Sequence, residues 1–443
     1  MIRYGAGLLG VMLFASGCVY YNAIYNAERS YDEAEALRRS GRDSLASQVY
    51  QDVVRKAARG YRRDPEGEWG DDTLFLLGRA RLRLGEIRAA RAALEEVAER
   101  SESAEMSLAV LVYLALAHVE SGDPGAALPL VNRALTGLSA GAPRAEAHLL
   151  RGRILLSQGQ GDGGWSDLDR APDLDARVRV EAALSKLRWA IHYDEPARAG
   201  EAFTLLLSYA EAGERMDTIV VLADRAAEQW SPGVVATLLS AADTARWGNV
   251  GRGQIGLGRA RMFHRSGDTA AASVAAWAVA RGIGVAAAEA RVQLTRWRLE
   301  LAVALSEIED VKEILLPVED HQGAATLLDA LGAFDDLTGV GLTEPLGWFA
   351  AAEIARDDLG ARSLARGLFL AYAAADPEDP WVPKALLAAL AVASDDSDRT
   401  WLLGRLEAHA VSPYVLAARG DPAPGFEALE EDLALRLMKM KNR

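Results

Sequence analysis

The chain has 443 residues, half of them hydrophobic and a quarter charged, with a formal net charge of −14. That composition excludes a disordered chain, and the acidic balance argues against nucleic acid as a partner. One compact core is not expected at this length, because cores stop growing near about 250–300 residues; an array whose units pack only on their neighbours escapes that limit.

The first residues read as a processing signal. Met1 to Tyr4 carry one positive charge, Arg3; an apolar run from Gly5 to Ala15 follows, and then Ser16, Gly17 and Cys18. The run is short of the ~20 apolar residues a membrane span needs and reads as a secretory signal. Removing residues 1–17 takes away only Arg3, leaving a charge of −15. Cys18 is the only cysteine, so no disulfide is expected. An ordinary signal peptide is one reading of this stretch. The other rests on Ala15-Ser16-Gly17-Cys18, which resembles the lipobox of bacterial lipoproteins. That resemblance implies a diacylglyceryl thioether on Cys18 and an acylated amino terminus, a multi-chain anchor. With Val19 and not aspartate following, it implies retention at the outer membrane. Tyr20, Tyr21 and Tyr25 in the short tether 18–26 could sit at the lipid interface or pack on the first helices.

Helical hairpins then recur. Around Gly41, small or apolar residues stand seven before (Ala34) and five, nine and twelve after (Ala46, Tyr50, Val53). The same offsets hold around Gly85 (Gly78, Ala90, Leu94, Val97), Gly122 (Ala115, Ala127, Val131, Ala134) and, more weakly, Gly159 (Gly152, Gly164, Leu168, Ala171). Positions nine and twelve past the turn share a helical face with position five. Small residues at Gly78 and Ala90 let two antiparallel helices approach closely. The steps 85 to 122 and 122 to 159 are both 37 residues. In offsets and period this pattern resembles the tetratricopeptide repeat. The resemblance implies first helices lining a concave binding face and second helices covering the convex side. Where that family often has an aromatic, the first helices carry Arg81 and His118. Both are therefore expected to border the binding surface, Arg81 favouring carboxylate-bearing partners; the alternative is that Arg81 lies flat over its apolar stem and faces water. Arg83, by contrast, is expected to be dispensable for folding.

Beyond Gly159 the pattern weakens but helices continue: 181–193 with 197–209 (Ala199, Phe203 and Leu206 on one face), 215–230, 234–247, a hairpin around Gly267, and 286–316 ended by Pro317. Gly339, Gly341 and Pro345 mark a linker or hinge over 318–345. A late hairpin around Gly360 spans 346–375, and helices at 400–409, 412–419 and 426–438 complete 346–443. The stretch Asp376 to Val392 resembles the inter-repeat loops of the lipoprotein subunit of the outer-membrane β-barrel assembly machinery.

Other motifs carry less. Gly251-Arg-Gly-Gln-Ile-Gly256 matches a dinucleotide fingerprint but follows a helix-like stretch, has Ala275 and Ala276 near where an acid is needed, and reads as an inter-helix loop. The six histidines show no zinc-helix spacing; His118 and His148 lie on successive first helices and could meet on the concave face. Trp189, Trp277 and Trp297 read as packing residues. Arg55, Lys56, Arg59, Arg62 and Arg63 form a basic helix face, either solvated or in contact with anionic lipid. No nucleophile motif is present, and no cofactor or metal is called for.

The expected fold is all-α: tetratricopeptide-like helical hairpins stacked into a right-handed superhelical solenoid, with the main array at 27–317. The expected function is a non-enzymatic periplasmic scaffold on the outer membrane. Its partners would be envelope proteins or peptides, with the membrane reached through the lipid anchor and no nucleic acid. The competing class is an all-α periplasmic hydrolase or binding protein acting on cell-wall glycan or peptide; hydrolysis would need two carboxylates across a groove.

Overall fold

The computed structural model describes residues 24–240, 247–341 and 344–441, so Cys18 lies outside the described residues. Every regular element among them is helical, and the chain is an all-α array of tetratricopeptide-like hairpins. It divides at Gly258/Arg259 into two compact units.

In unit 1 the hairpins are α1 (24–39) with α2 (Asp43–Arg63), α3 (Gly70–Arg83) with α4 (Ile87–Arg100), and α5 (Ala104–Glu120) with α6 (Pro124–Gly137). Then come α7 (Ala142–Ser157) with α8 (Gly161–Leu174), α9 (Arg179–His192) with α10 (Pro196–Leu207), and α11 (Met216–Gln229) with α12 (Pro232–Leu239). The turn glycines 41, 85, 122, 159, 267 and 360 have φ between +68° and +83°, the left-handed region only glycine enters freely. After two of these turns an aspartate caps the next helix: Asp123 accepts from the Ala126 amide at 3.0 Å and Asp268 from that of Ala271 at 2.9 Å. The close approach at Gly78 is real, since a Cβ there would stand 2.8 Å from Leu94 Cγ. Ala90, Leu94 and Val97 are fully buried against it.

Unit 2 begins inside α13 (Asn249–Arg265) and continues through α14 (Thr269–Ala280), α15 (Val285–Leu301), α16 (Ser306–Leu315) and α17 (Gln322–Gly341). It ends with α18 (Pro345–Asp357), α19 (Arg362–Ala375), α20 (Val382–Ala391), α21 (Asp396–Glu407), α22 (Pro413–Arg419) and α23 (Phe426–Lys441). Its core includes Phe349, edge-on to both Phe369 and Tyr372 with ring centroids 5.4 Å away.

Two expectations are corrected. The span 318–345 is mostly helix: Ala324, Leu327, Leu331, Phe334 and Leu337 recur at helical spacing and are buried. Its glycines lie at the helix end and do not make the whole span a linker. Residues 251–256 form no loop but the first turns of α13. Gly251 packs on the Gly213 backbone, whose Cα lies 3.4 Å from where a Cβ would stand, an ordinary van der Waals contact.

Candidate functional site

Within unit 1 the first helices α1, α3, α5, α7 and α9 turn charged and aromatic side chains toward one shared inner face. Its hub is Glu35 on α1, only 3% exposed. One carboxylate oxygen accepts from the Tyr50 hydroxyl at 2.5 Å and from Arg83 Nε at 2.7 Å. The other accepts from Arg38 at 3.0 Å and Arg39 at 3.2 Å. Burial alone would push the Glu35 carboxyl up. The Arg83 and Arg38 charges, with hydrogen bonds from Arg38 and Tyr50, outweigh it and hold the carboxyl far below its ordinary range.

The network runs on across the face. Arg38 Nη1 donates to Glu181 on α9 at 2.6 Å. Glu146 on α7 stands 3.5 Å from Arg39 and 3.6 Å from Arg83. Arg153, one helical turn pair beyond Glu146, donates through Nε to Ser185 at 2.9 Å and reaches Glu181 at 3.6 Å. Arg215, just before α11, donates to the carbonyls of Arg38 and Arg39 at 3.2 and 3.3 Å, capping the C-terminal end of α1. Unit 1 therefore curls until its first helix touches its fifth hairpin. Arg79 is enclosed by rings, its Cζ 4.2 Å from the Tyr31 centroid, 4.9 Å from Tyr113 and 5.4 Å from Phe75.

Two cavities open on this face. One of about 30 Å³ is lined by Arg38, Arg83, Arg153, Glu146, Glu181 and the apolar side of α5 and α7. The other, about 250 Å³, lies between the end of α1 (Ala36, Arg39) and residues 176–181, 211 and 214. Around the Glu35–Glu181 network, seven arginines (38, 39, 79, 83, 153, 188 and 215) meet three glutamates (35, 146 and 181). The excess is positive in an acidic chain. Arg153 and Arg188 show its effect. Partial desolvation and neighbouring guanidinium groups lower both: Arg38 and Arg83 act on Arg153, while Arg153 and Arg215 act on Arg188. Toward the N-terminal ends of α1 and α3 the sign reverses. There burial first, then repulsion from Asp72 on Glu28 and from Asp71 on Asp72, push the two carboxyls up.

The residues singled out from sequence lie elsewhere. Arg81 leans along its own hairpin turn, Nη1 3.5 Å from the Ala89 carbonyl and Nε 3.7 Å from Glu86. Arg83 is two residues on, about 200° round the helix, and so faces inward where Arg81 cannot. His118 also turns to its own loop, Nδ1 4.0 Å from Asp123. It does not meet His148, which is buried with Nδ1 2.9 Å from Asp167, itself clamped by Arg151 at 2.6 and 2.8 Å. The basic face of α2 is partly neutralised by Asp52, 3.2 Å from Arg55 and 2.6 Å from Lys56. Among the described residues no group of metal-ligating side chains is assembled, and no helix is long and apolar enough to cross a membrane. The missed inner-face residues carried a signal: Glu146/Arg153 and Glu181/Arg188 are charges seven apart, on first-helix faces that carry Leu149 and Leu150 in α7 and Leu184 and Ser185 in α9 between them.

No known family pattern and no curated protein matches the chain. Solved structures do. A monomeric IFIT1 mutant with m7Gppp-AAAA is 13% identical, covering 87% of this chain and 72% of its own, with a TM-score of 0.31. The human IFIT1 dimer with m7Gppp-AAAA is 12% identical over 84% and 72%, with a TM-score of 0.26. Cut9, in the APC/C hetero-tetramer Cut9-Hcn1, is 14% identical over 82% and 94%, with a TM-score of 0.25. The fold conclusion rests on the hairpins themselves: the chain is an all-α array of tetratricopeptide-like repeats.

Proposed function

We propose that the chain is a non-enzymatic scaffold that holds segments of envelope proteins or peptides on the inner face of unit 1. In this reading it is exported and tethered to the periplasmic face of the outer membrane through lipid on Cys18. The observation that carries the binding reading is the convergence of five successive first helices on one charged face with two cavities. The tether rests on the Ala15-Ser16-Gly17-Cys18 sequence. Arg81 and His118 are left out of the binding surface, since both reach back to their own turns.

The hydrolase reading finds little support in the Glu35–Glu181 network. Glu35 and Glu181 are held ionised by arginines, so neither supplies the protonated carboxyl a glycosidase needs as its acid. Two experiments test the proposal. A photocrosslinking side chain at Leu116, which lines the smaller cavity, is expected to capture an envelope protein in intact cells. The same side chain at Arg91, on the exposed face of α4, is expected not to. Equal capture at both positions removes the inner face as the binding surface. Cys18→Ser is expected to shift the protein out of the membrane fraction; unchanged outer-membrane recovery sinks the tether.

A further inference from the structure

We propose that the inner face of unit 1 contains a binding site for a phosphate-type oxyanion, held between Arg153 on α7 and Arg188 on α9. This deepens the scaffold reading and rests on it for the choice of face. The first observation is geometric. Arg153 is fixed by its Nε hydrogen bond to Ser185, one turn before Arg188 on the same face of α9. Its side chain is nonetheless 40% exposed where it lines the smaller cavity. Arg188 is exposed and makes no hydrogen bond or ion pair among the described residues, although the neighbouring arginines are engaged with carboxylates or carbonyls. The cavity beside Arg153, about 30 Å³, has room for a water or two, and Arg188 stands outside its lining.

The second observation is what already sits there. Glu181 supplies a carboxylate to this corner and divides it between Arg38 at 2.6 Å and Arg153 at 3.6 Å. Glu146 lines the same cavity and is itself shared with Arg39 and Arg83, so the two carboxylates leave Arg188 and much of Arg153 undercompensated, with Arg215 adding to the field. A carboxylate brings one negative charge and two oxygens. A phosphate brings up to two charges and more acceptor oxygens, enough for two forked guanidinium groups at once. All the cations here are arginine and none is lysine, as planar, bidentate oxyanion recognition requires. The source can be free phosphate or a phosphate ester such as a lipid headgroup.

The test uses the full chain in detergent micelles at fixed ionic strength. Inorganic phosphate is expected to raise the unfolding temperature of the wild type saturably, and propionate at the same concentration to leave it nearly unchanged. Arg188→Gln is expected to unfold no earlier than the wild type in phosphate-free buffer, because it removes a repelled charge. It is expected to weaken phosphate binding at least about tenfold, the loss of one charge-assisted hydrogen bond. Arg133→Gln, on exposed α6, keeps the wild-type response. Vesicles containing phosphatidic acid compete with inorganic phosphate if the source is a headgroup; failure to compete identifies the free anion. A wild type blind to phosphate, an equal response to propionate, or a response retained by Arg188→Gln overturns the site. Loss of crosslinking at Leu116 would instead sink the scaffold reading, and the two failures are distinguishable.

Discussion

Removing the Arg83 guanidinium takes two donors from a carboxylate that stays buried, since Glu35 is 4% and Arg83 13% exposed in their side chains. Breaking a buried pair from one side costs about 3–5 kcal/mol, so Arg83→Ala is expected to lower the urea midpoint strongly. The sequence offered no reason to expect this, because the partner lies 48 residues away on another hairpin. The same carboxylate gives unit 1 an acid limb. Its folded pKa is depressed from an ordinary 4.5. Its contribution is therefore present above pH 4.5 and is lost progressively as pH falls from there toward the folded value, because the unfolded chain binds the proton first. Glu35→Gln is expected to flatten the decline of stability below pH 4.5, measured as urea midpoints against pH; an unchanged slope sinks the assignment. Ala90→Leu belongs to the same scale. Ala90 is fully buried in the close helix contact at Gly78, and overpacking of this kind costs about 1–3 kcal/mol. Thermal unfolding close to wild type would mean that the helices part there without strain.

At the level of the hairpin, the pattern that seemed to end at Gly159 continues with a different residue at the turn. Asp194 has φ +57° and stands 35 residues after Gly159. Leu187 lies seven before it, and Ala199, Phe203 and Leu206 lie five, nine and twelve after it, all of them buried. An aspartate tolerates the left-handed region better than most residues. Here its Oδ1 also accepts from Trp230 Nε1 at 2.6 Å, which ties the turn to the end of α11. Asp194→Ala loses that acceptor and puts a Cβ-bearing residue with no local hydrogen bond at positive φ, so a loss of about 1–3 kcal/mol is expected. Asp194→Asn keeps both features and should stay near wild type. If both substitutions behave alike in thermal unfolding, the turn is held by something else. This hairpin shows where legibility ends. Offsets around glycine could be read because a turn, a close contact and a helical face are all local. Asp194 hides the turn because the residue there is not glycine, and Gly339 and Pro345 hide α17 although its buried stripe is present. The inner face was less legible still: which of Arg79, Arg81 and Arg83 points inward depends on how the next helices pack, and that is fixed by contacts up to 177 residues apart.

Those distant contacts act on unit 1 as a whole. In a linear stack the terminal hairpin has a neighbour on one side only and frays first. Here α1 has a second set of partners: Arg38 bonds Glu181 across 143 residues, and Arg215 caps the carbonyls at its end. Loop-closure entropy grows slowly with separation, so a well-paired contact of this range can still hold an end in place. Glu181→Gln removes the charge that Arg38 and Arg153 share and leaves the helix α9 otherwise intact. The amides of α1 are then expected to exchange at least about tenfold faster, the loss of roughly 1.4 kcal/mol of local stability. Those of unit 2, beyond Arg259, should keep their rates. Ser185→Ala serves as the comparison, because it removes the Arg153 hydrogen bond and the hydroxyl's own bond to the Glu181 carbonyl but keeps the Glu181 carboxylate, and should leave α1 protected. Hydrogen exchange read by mass spectrometry resolves the two regions. Unchanged protection of α1 in Glu181→Gln would mean that its packing on α2 and α3 suffices and that the curl of unit 1 carries no stabilising load. Faster exchange in α1 that also appears in Ser185→Ala would place the support on α7 rather than on the bond to Arg38.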